Sequence, residues 1–188
     1  MYEGKNPTAL QSKRWIEQAL LGLMREKNFP GITVREICAR ADLSRQTFYN
    51  LYPSKEDVLR GFLRAQVEGA CERLSRERAF RGVSLRDTVR AFAEVLLSNR
   101  EELLLMTGQG LGGLVSAEIA NGVSLFAGQF CGGAGDADGG LGKSYAAAFL
   151  SGGLTQTMLL WLRLGEPADA EELSALLEAC CRGELYGL

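Results

Sequence analysis

The 188-residue sequence contains no histidine. Without imidazole, the chain cannot carry a Ser-His-Asp or Cys-His catalytic group or a metal site that uses histidine ligands. It also lacks a Walker-type phosphate loop, so no set of catalytic residues can be assembled from it. We therefore expect a protein that is not an enzyme and that needs no cofactor.

The five cysteines follow no regular spacing and include no Cys-x-x-Cys pair. This pattern argues against a disulfide scaffold and a zinc site, so we expect no metal and mostly buried thiols in a cytoplasmic protein. A redox role for Cys131 is the less favoured alternative. No apolar run reaches the roughly 20 residues that a membrane span needs, so no membrane is expected as a partner.

Strand-type alternation of apolar and polar residues is absent, whereas apolar residues recur at helical spacing along the chain, so the predicted fold class is all-α. The charge is unevenly distributed. Residues 1–60 hold ten Lys and Arg against seven Asp and Glu, a net charge of +3, and residues 61–188 hold eleven against sixteen, a net of −5. A basic N-terminal part on an acidic body is typical of a DNA-binding unit joined to a separate partner domain.

Residues 33–56 contain the most informative local pattern. Thr33 and Glu36 form the Thr-x-x-Glu signature of a helix start, and Asp42 suits the left-handed turn that would end this helix. Ser44 would cap a second short helix, which Pro53 would end. Two short helices joined by a tight turn predict a helix-turn-helix DNA-binding unit. The alternative is a plain helical hairpin with a polar surface.

Residues 10–60 resemble the N-terminal domain of the tetracycline-repressor (TetR/AcrR) family of bacterial transcription regulators, and the run that matches most clearly covers residues 32–59. Its motif Thr-Phe-Tyr, followed by an aromatic residue three positions later and then Ser-Lys-Glu-x-x-Leu, is specific to this family among helix-turn-helix proteins. Asp42 stands where the family usually has Gly, and Tyr52 where it usually has Phe. The resemblance implies a helix-turn-helix DNA-binding domain over residues 1–53 and a helical regulatory and dimerisation domain over residues 54–188.

The predicted DNA contacts follow from side-chain chemistry. Arginine and the amide side chains can read guanine and adenine edges, and hydroxyl groups and lysine suit phosphate oxygens. We expect bases to be read by Arg35, Arg45, Gln46 and Asn50, phosphates to be held by Thr33, Thr47, Tyr49 and Lys55, and Ser44 and Tyr52 to complete the set. The arginine-rich segment at residues 73–81 is better explained as a solvated helix end, because Glu72 and Glu77 interrupt it.

The last two predicted helices, residues 145–164 and 167–180, look too apolar for the surface of a monomer. The resemblance implies that they form a homodimer interface, which would place two DNA-binding units on a palindromic operator. Family members commonly hold a small ligand in the body, and a mostly apolar effector is the default here. The candidate pocket residues are Phe92, Leu96, Met106, Phe126, Phe130, Phe149, Met158 and Trp161, although as individual residues they are better explained as core.

Two glycine-rich motifs suggest other ligands but lack the required context. Residues 108–113 match G-x-G-x-x-G, yet an apparent helix precedes them, so we expect the run to end one helix and let the next begin. Asp136-x-Asp138-Gly139 lacks the later ligands of a calcium loop. The sequence therefore predicts a homodimeric transcription regulator, more specifically a repressor. The alternative is a helical interaction module or coactivator with the same fold that does not read DNA on its own.

Overall fold

The computed structural model describes residues 7–81, 84–127, 141–164 and 169–181. Every regular element within these ranges is helical, so the all-α prediction is confirmed for them. The helices are α1 (Pro7–Glu26), α2 (Val34–Ala41), α3 (Arg45–Leu51), α4 (Lys55–Arg81), α5 (Leu85–Ser98), α6 (Arg100–Gly108), α7 (Gly112–Ala127), α8 (Leu141–Arg163) and α9 (Ala170–Cys181), with a 3₁₀ turn at Phe29–Gly31.

The first three helices, here called the head, are bounded by the predicted signals. Thr33 and Glu36 form a reciprocal capping box at the start of α2. Asp42 ends α2 in the left-handed conformation, with φ 52° and ψ 46°. The Ser44 side chain accepts a hydrogen bond from the Thr47 amide and so caps α3. The predicted boundaries of both short helices are therefore confirmed.

The head packs around one helix and the start of another. α1 contacts α2, α3 and α4, and α2 contacts α3. Their facing side chains are fully covered, including Ile16, Leu20, Ile37, Phe48 and Leu59, each 0% exposed. Burying several such residues is the main source of stability for so small a unit, at about 1.5–3 kcal/mol each. α3 is thereby presented with its opposite face outward.

The helices α5 to α9, here called the body, pack against the far part of α4. The long helix α4 thus runs from the head into the body. α4 contacts α5 and α7, α7 contacts α8, and α5 contacts α9. The buried side chains of the body join those of the head in one continuous hydrophobic cluster. Gly122 marks the closest approach, since a Cβ atom placed there would lie 2.2 Å from Val67 Cγ1. The absence of a side chain at this position lets α7 approach α4 closely.

The long helices of the body differ from the predicted bounds by a few residues. α8 begins at Leu141 rather than residue 145, and α9 begins at Ala170 rather than residue 167. Ser84 and Asp87 form the predicted capping box of α5. This start could be predicted because its two capping residues lie within one helical turn of each other.

Among the described helices, none combines the length and apolar character that crossing a bilayer requires.

Candidate nucleic-acid interface

The outward face of α3 carries four polar or amphipathic side chains. Arg45, Gln46, Tyr49 and Asn50 are exposed, whereas Phe48, on the opposite face, is fully buried. Residues spaced by one, four and five positions share one side of a helix, so these four side chains form a continuous surface. Gln46 Nε2 donates to Asn50 Oδ1 at 3.0 Å, which aligns the two amide groups along this face.

The remaining predicted contacts at helix starts are also at the surface. Thr33 and Arg35, at the start of α2, are exposed, as is Ser44, whereas Thr47 is half-buried. Among the described residues, no ion pair involves Arg35 or Arg45, so both guanidinium groups can meet a phosphate or a base. The predicted base readers of α3 therefore share one face of that helix, and Arg35 is exposed at the start of α2.

A capping network orients α2 beneath this surface. The Glu36 carboxylate accepts hydrogen bonds from the Lys27 ammonium and from the backbone and hydroxyl of Thr33. Hydrogen bonding by Lys27 and then by Thr33 lowers the pKa of Glu36 from its ordinary value near 4.5 to about 2. Glu36 is therefore ionised at neutral pH and holds the first turn of α2. The sequence revealed the Thr33 contact, but it contained no local signal for Lys27.

Tyr52 does not occupy the position expected of a DNA contact. Its side chain is 1% exposed, and its hydroxyl donates to Glu17 Oε1 at 2.8 Å. Burial raises the pKa of Tyr52 well above its usual range, and the neighbouring Glu17 carboxylate acts in the same direction. Tyr52 therefore supports the head from within by tying α1 to the end of α3. The expectation for this residue is corrected because its only polar atom faces the interior.

Lys55 is half-buried, and its ammonium group is engaged by the backbone of the head rather than free for phosphate. Its ammonium group donates to the carbonyl oxygens of Phe29 at 2.7 Å, Ile32 at 2.8 Å and Pro30 at 3.2 Å. The same nitrogen lies 4.4 Å from the centre of the Phe29 ring. An ammonium group has three hydrogens, and all three have acceptors here. We therefore reassign Lys55 from holding phosphate to holding the turn between α1 and α2.

The arginine-rich end of α4 offers a weaker surface. Arg73 and Arg76 are exposed, and Arg76 Nε donates to the Glu72 carbonyl. The side chains of residues 77–81 lie outside the described residues. The Gly-rich run at residues 108–113 joins the end of α6 to the start of α7, as predicted, and no strand precedes it. Within the described part of the chain, no cluster of ligating side chains fits a metal ion.

The predicted ligand-pocket residues separate into three groups. Five are buried in the core: Phe92, Leu96, Met106, Met158 and Trp161. Phe149 is 85% exposed, so its assignment to an interior pocket is corrected. The Phe126 side chain and all of Phe130 lie outside the described residues, as do Cys131 and the Asp136-x-Asp138 segment. Three open clefts of about 430, 360 and 600 Å³ occur in the described structure, and none is lined by the predicted residues.

The head can be compared with known families. Residues 16–61 match the family model described as bacterial regulatory proteins, tetR family. This segment of the chain is similar to the TetR family. This match covers α1 to the start of α4, which includes the capping box, the left-handed turn and α3. The family model describes bacterial regulatory proteins, so the matched segment has the fold of their helix-turn-helix domain.

Solved structures extend the likeness from the head to the body. A TetR transcriptional regulator from Streptococcus agalactiae is similar over 92% of this chain and 94% of its own, with a TM-score of 0.62 and 19% identity. The dihydroxyacetone kinase operon activator DhaS is similar over 93% and 96%, with a TM-score of 0.62 and 16% identity. The fatty acid degradation regulator FadR from Bacillus halodurans is similar over 99% and 98%, with a TM-score of 0.57 and 15% identity. No protein of curated function matches the chain. At these identities the structures establish the fold alone.

Proposed function

We propose that this protein is a member of the TetR family and a cytoplasmic, sequence-specific repressor that binds a palindromic operator as a homodimer. The observation that supports DNA reading is the outward face of α3. It combines Arg45 and Gln46 with Asn50, while the apolar side of the same helix is fully used in packing. These three side chains have the donors and acceptors that base edges in the major groove require. Thr47 and Tyr49 would hold phosphates beside them. Thr33 is left out of this proposal because its hydroxyl and its backbone N–H both donate to the Glu36 carboxylate.

The homodimer is proposed from the apolar surface of the last two helices. Tyr145, Phe149 and Leu160 recur along α8 and Leu164 directly follows it; all four side chains are between 52% and 85% exposed. Leu176 on α9 is 50% exposed. An apolar stripe of this length is unusual on the surface of a monomer. A twofold axis through this stripe would pair two heads, which increases the number of base pairs read.

Release by a small ligand belongs to the same proposal. The buried candidates fill the core, so a ligand among them would have to separate α5, α6 and α8. Such a ligand can weaken DNA binding only by the difference between its affinities for the two body conformations. The division into a DNA-binding unit over residues 1–53 and a regulatory unit over residues 54–188 is also part of the proposal.

Fluorescence anisotropy tests the proposed DNA reading. Purified protein is titrated onto duplex DNA from upstream of its own gene, beside a scrambled duplex, over a series of salt concentrations. We expect selective binding with a steep salt dependence, because each neutralised phosphate releases counterions. The Arg45→Ala variant should lose about 1–3 kcal/mol of discrimination at one position in each half-site. Arg86→Ala, an exposed substitution in the body, is the matched control and should bind like wild type.

Two other outcomes would redirect the proposal. Binding no stronger than to the scrambled duplex would require selection from a random duplex pool. If that selection enriched no sequence, the protein would be a helical interaction module or coactivator that does not read DNA alone. This second reading draws on the fold shared with DhaS, a protein named as an operon activator. Enrichment of a palindrome would instead locate the operator elsewhere.

A further inference from the structure

Gln109 connects the body to the head through both atoms of its side-chain amide. Its Oε1 atom accepts a hydrogen bond from the Phe29 amide at 2.6 Å. Its Nε2 atom donates to the Met24 carbonyl at 2.7 Å. Both partners lie more than 75 residues away along the chain, at the end of α1 and in the turn that follows. With this orientation of the side-chain amide, the Phe29 donor faces the amide oxygen and the Met24 acceptor faces the amide nitrogen.

The same turn is held from a second direction. Lys55, at the start of α4, binds the carbonyl oxygens of Phe29, Pro30 and Ile32. The turn is therefore held by two groups. Lys55 of α4 binds its carbonyl oxygens, and Gln109 accepts from the backbone N–H of Phe29. Thr33, the cap of α2, follows directly. A displacement of this turn would move the start of the helix-turn-helix unit as a whole.

The position of Gln109 makes it sensitive to the arrangement of the body helices. Gln109 directly follows the last residue of α6 and caps the helix. Its backbone N–H donates to the carbonyl oxygens of Leu105 and Met106. Gly110, with φ 83°, reverses the chain before α7 begins at Gly112. A side chain at such a turn follows any change in how α6 meets α7. The two hydrogen bonds would carry that change to the head.

A second link between α6 and the head is an exposed ion pair, which is weaker than the two hydrogen bonds of Gln109. Arg25 in α1 pairs with Glu102 in α6 at 3.1 Å, and the Arg25 side chain is 51% exposed. Exposed ion pairs contribute little, because water and salt screen them. The bonds of Gln109 are part-buried and join the backbone directly. Gln109 is therefore the stronger of these two links.

We propose that Gln109 is a positioning residue for operator binding, which fixes the orientation of the head relative to the body. In the dimer, that orientation would set the spacing between the two α3 helices. The inference rests on the proposed function. It goes further because it states that the side-chain amide of Gln109 helps to select the spacing between the two half-sites. This property is separate from base reading.

The experiment compares three variants on operators of different spacing. Gln109→Met has a similar length and neither hydrogen bond. Gln109→Glu can still accept from the Phe29 amide but cannot donate to the Met24 carbonyl. Arg25→Ala is the control, since it removes the other link. Anisotropy gives the affinity of each protein for the selected operator and for the same operator with one base pair inserted between its half-sites.

The expected result is a loss of spacing selectivity rather than a uniform loss of binding. A single net hydrogen bond corresponds to about a twofold to tenfold change in an equilibrium constant. The ratio of the two affinities should fall about fivefold or more in Gln109→Met, less in Gln109→Glu, and under about twofold in Arg25→Ala. An equal weakening at both spacings, or an unchanged ratio in Gln109→Met, would overturn the inference.

A measurement without DNA separates this inference from the proposed function. Residual dipolar couplings of backbone amides in the head and in the body should fit one alignment tensor in the wild type. In Gln109→Met they should require two. If the wild type selects no operator, the proposed function fails and the couplings alone decide the role of Gln109. One shared tensor in both proteins would then reject it.

Discussion

The outward face of α3 in the head is polar, whereas the outward face of α8 in the body is apolar. Arg45, Gln46 and Asn50 are exposed on the first, and Phe149 and Leu160 on the second. Hydrogen-bonding and cationic groups suit a charged polymer with patterned edges, while exposed aromatic and aliphatic groups suit another apolar surface. Two such different surfaces on one small protein point to two different partners, proposed above as operator DNA and a second copy of the chain.

The largest expected effect comes from placing a charge on the apolar surface of the body. In Phe149→Glu we expect the dissociation constant of the dimer to rise at least about a hundredfold, because twofold symmetry makes each substitution count twice. Sedimentation equilibrium measures this change. Leu10→Glu, at an exposed apolar residue of α1 that is 47% accessible, is the control. If the control dissociates the dimer and Phe149→Glu does not, the interface lies on the head.

The next largest effect comes from truncating a buried side chain in the core of the head. Phe48 is 0% exposed, so Phe48→Ala should cost about 3–5 kcal/mol of unfolding free energy. Its neighbour Tyr49 is 49% exposed and touches the Phe48 ring edge-on, so Tyr49→Ala should cost no more than about 1 kcal/mol. Urea denaturation measures both. A similar loss in the two variants would mean that the outward face of α3 is also structural.

A smaller effect tests how closely the helices of the body approach one another. In Gly122→Ala the new Cβ atom would lie 2.2 Å from Val67 and 2.9 Å from Phe92, so we expect a loss of about 1–3 kcal/mol. Gly69→Ala, in the middle of α4, meets nothing within 4 Å and should gain about 0.5–1 kcal/mol. The same urea titration compares them. Stabilisation in both variants would show that α7 can move away from α4 without loss.

The smallest effect concerns pH and the exposed cap of α2. Because the pKa of Glu36 is lowered to about 2, its contribution to stability is present above about pH 4.5 and is lost as the pH falls toward 2. Glu36→Gln should flatten this acidic part of the stability curve. Lys27→Met removes the largest cause of the shift, so the pKa of Glu36 should move back up. An acid limb that is identical in wild type and Glu36→Gln would contradict this account.

Local sequence signals predicted the head better than the body. The Thr33 capping box, the left-handed Asp42 and the Ser44 cap each involve residues at most four positions apart, so they can be recognised without knowledge of the fold. The start of α9 has such a signal in Asp169, whose carboxylate accepts a hydrogen bond from the Glu172 backbone N–H at 2.8 Å, but Pro167 suggested an earlier start. The predicted starts of α8 and α9 are wrong by four and three residues. The family resemblance predicts that the outward face of α3 reads DNA, but it could not place individual side chains.

The roles of three residues depended on partners distant in the chain. Tyr52 meets Glu17, which lies 35 residues earlier, and Lys55 meets carbonyl oxygens 23–26 residues earlier. Gln109 meets backbone atoms 80 and 85 residues earlier. No pattern in the sequence encodes such pairs, since each depends on how α1, α4 and α6 are placed in space.

The sequence by itself determined the helical class and the helix-turn-helix unit, because helical period, caps and turns act over a few residues. It also determined which side of α3 faces outward, through the buried Phe48 and its polar neighbours. Only the tertiary structure decided that Lys55 and Tyr52 support the head instead of facing DNA, and that Phe149 is exposed. It also decided that Gln109 joins the two parts. These outcomes arise from packing between distant segments, where competing acceptors and neighbours decide what each side chain contacts.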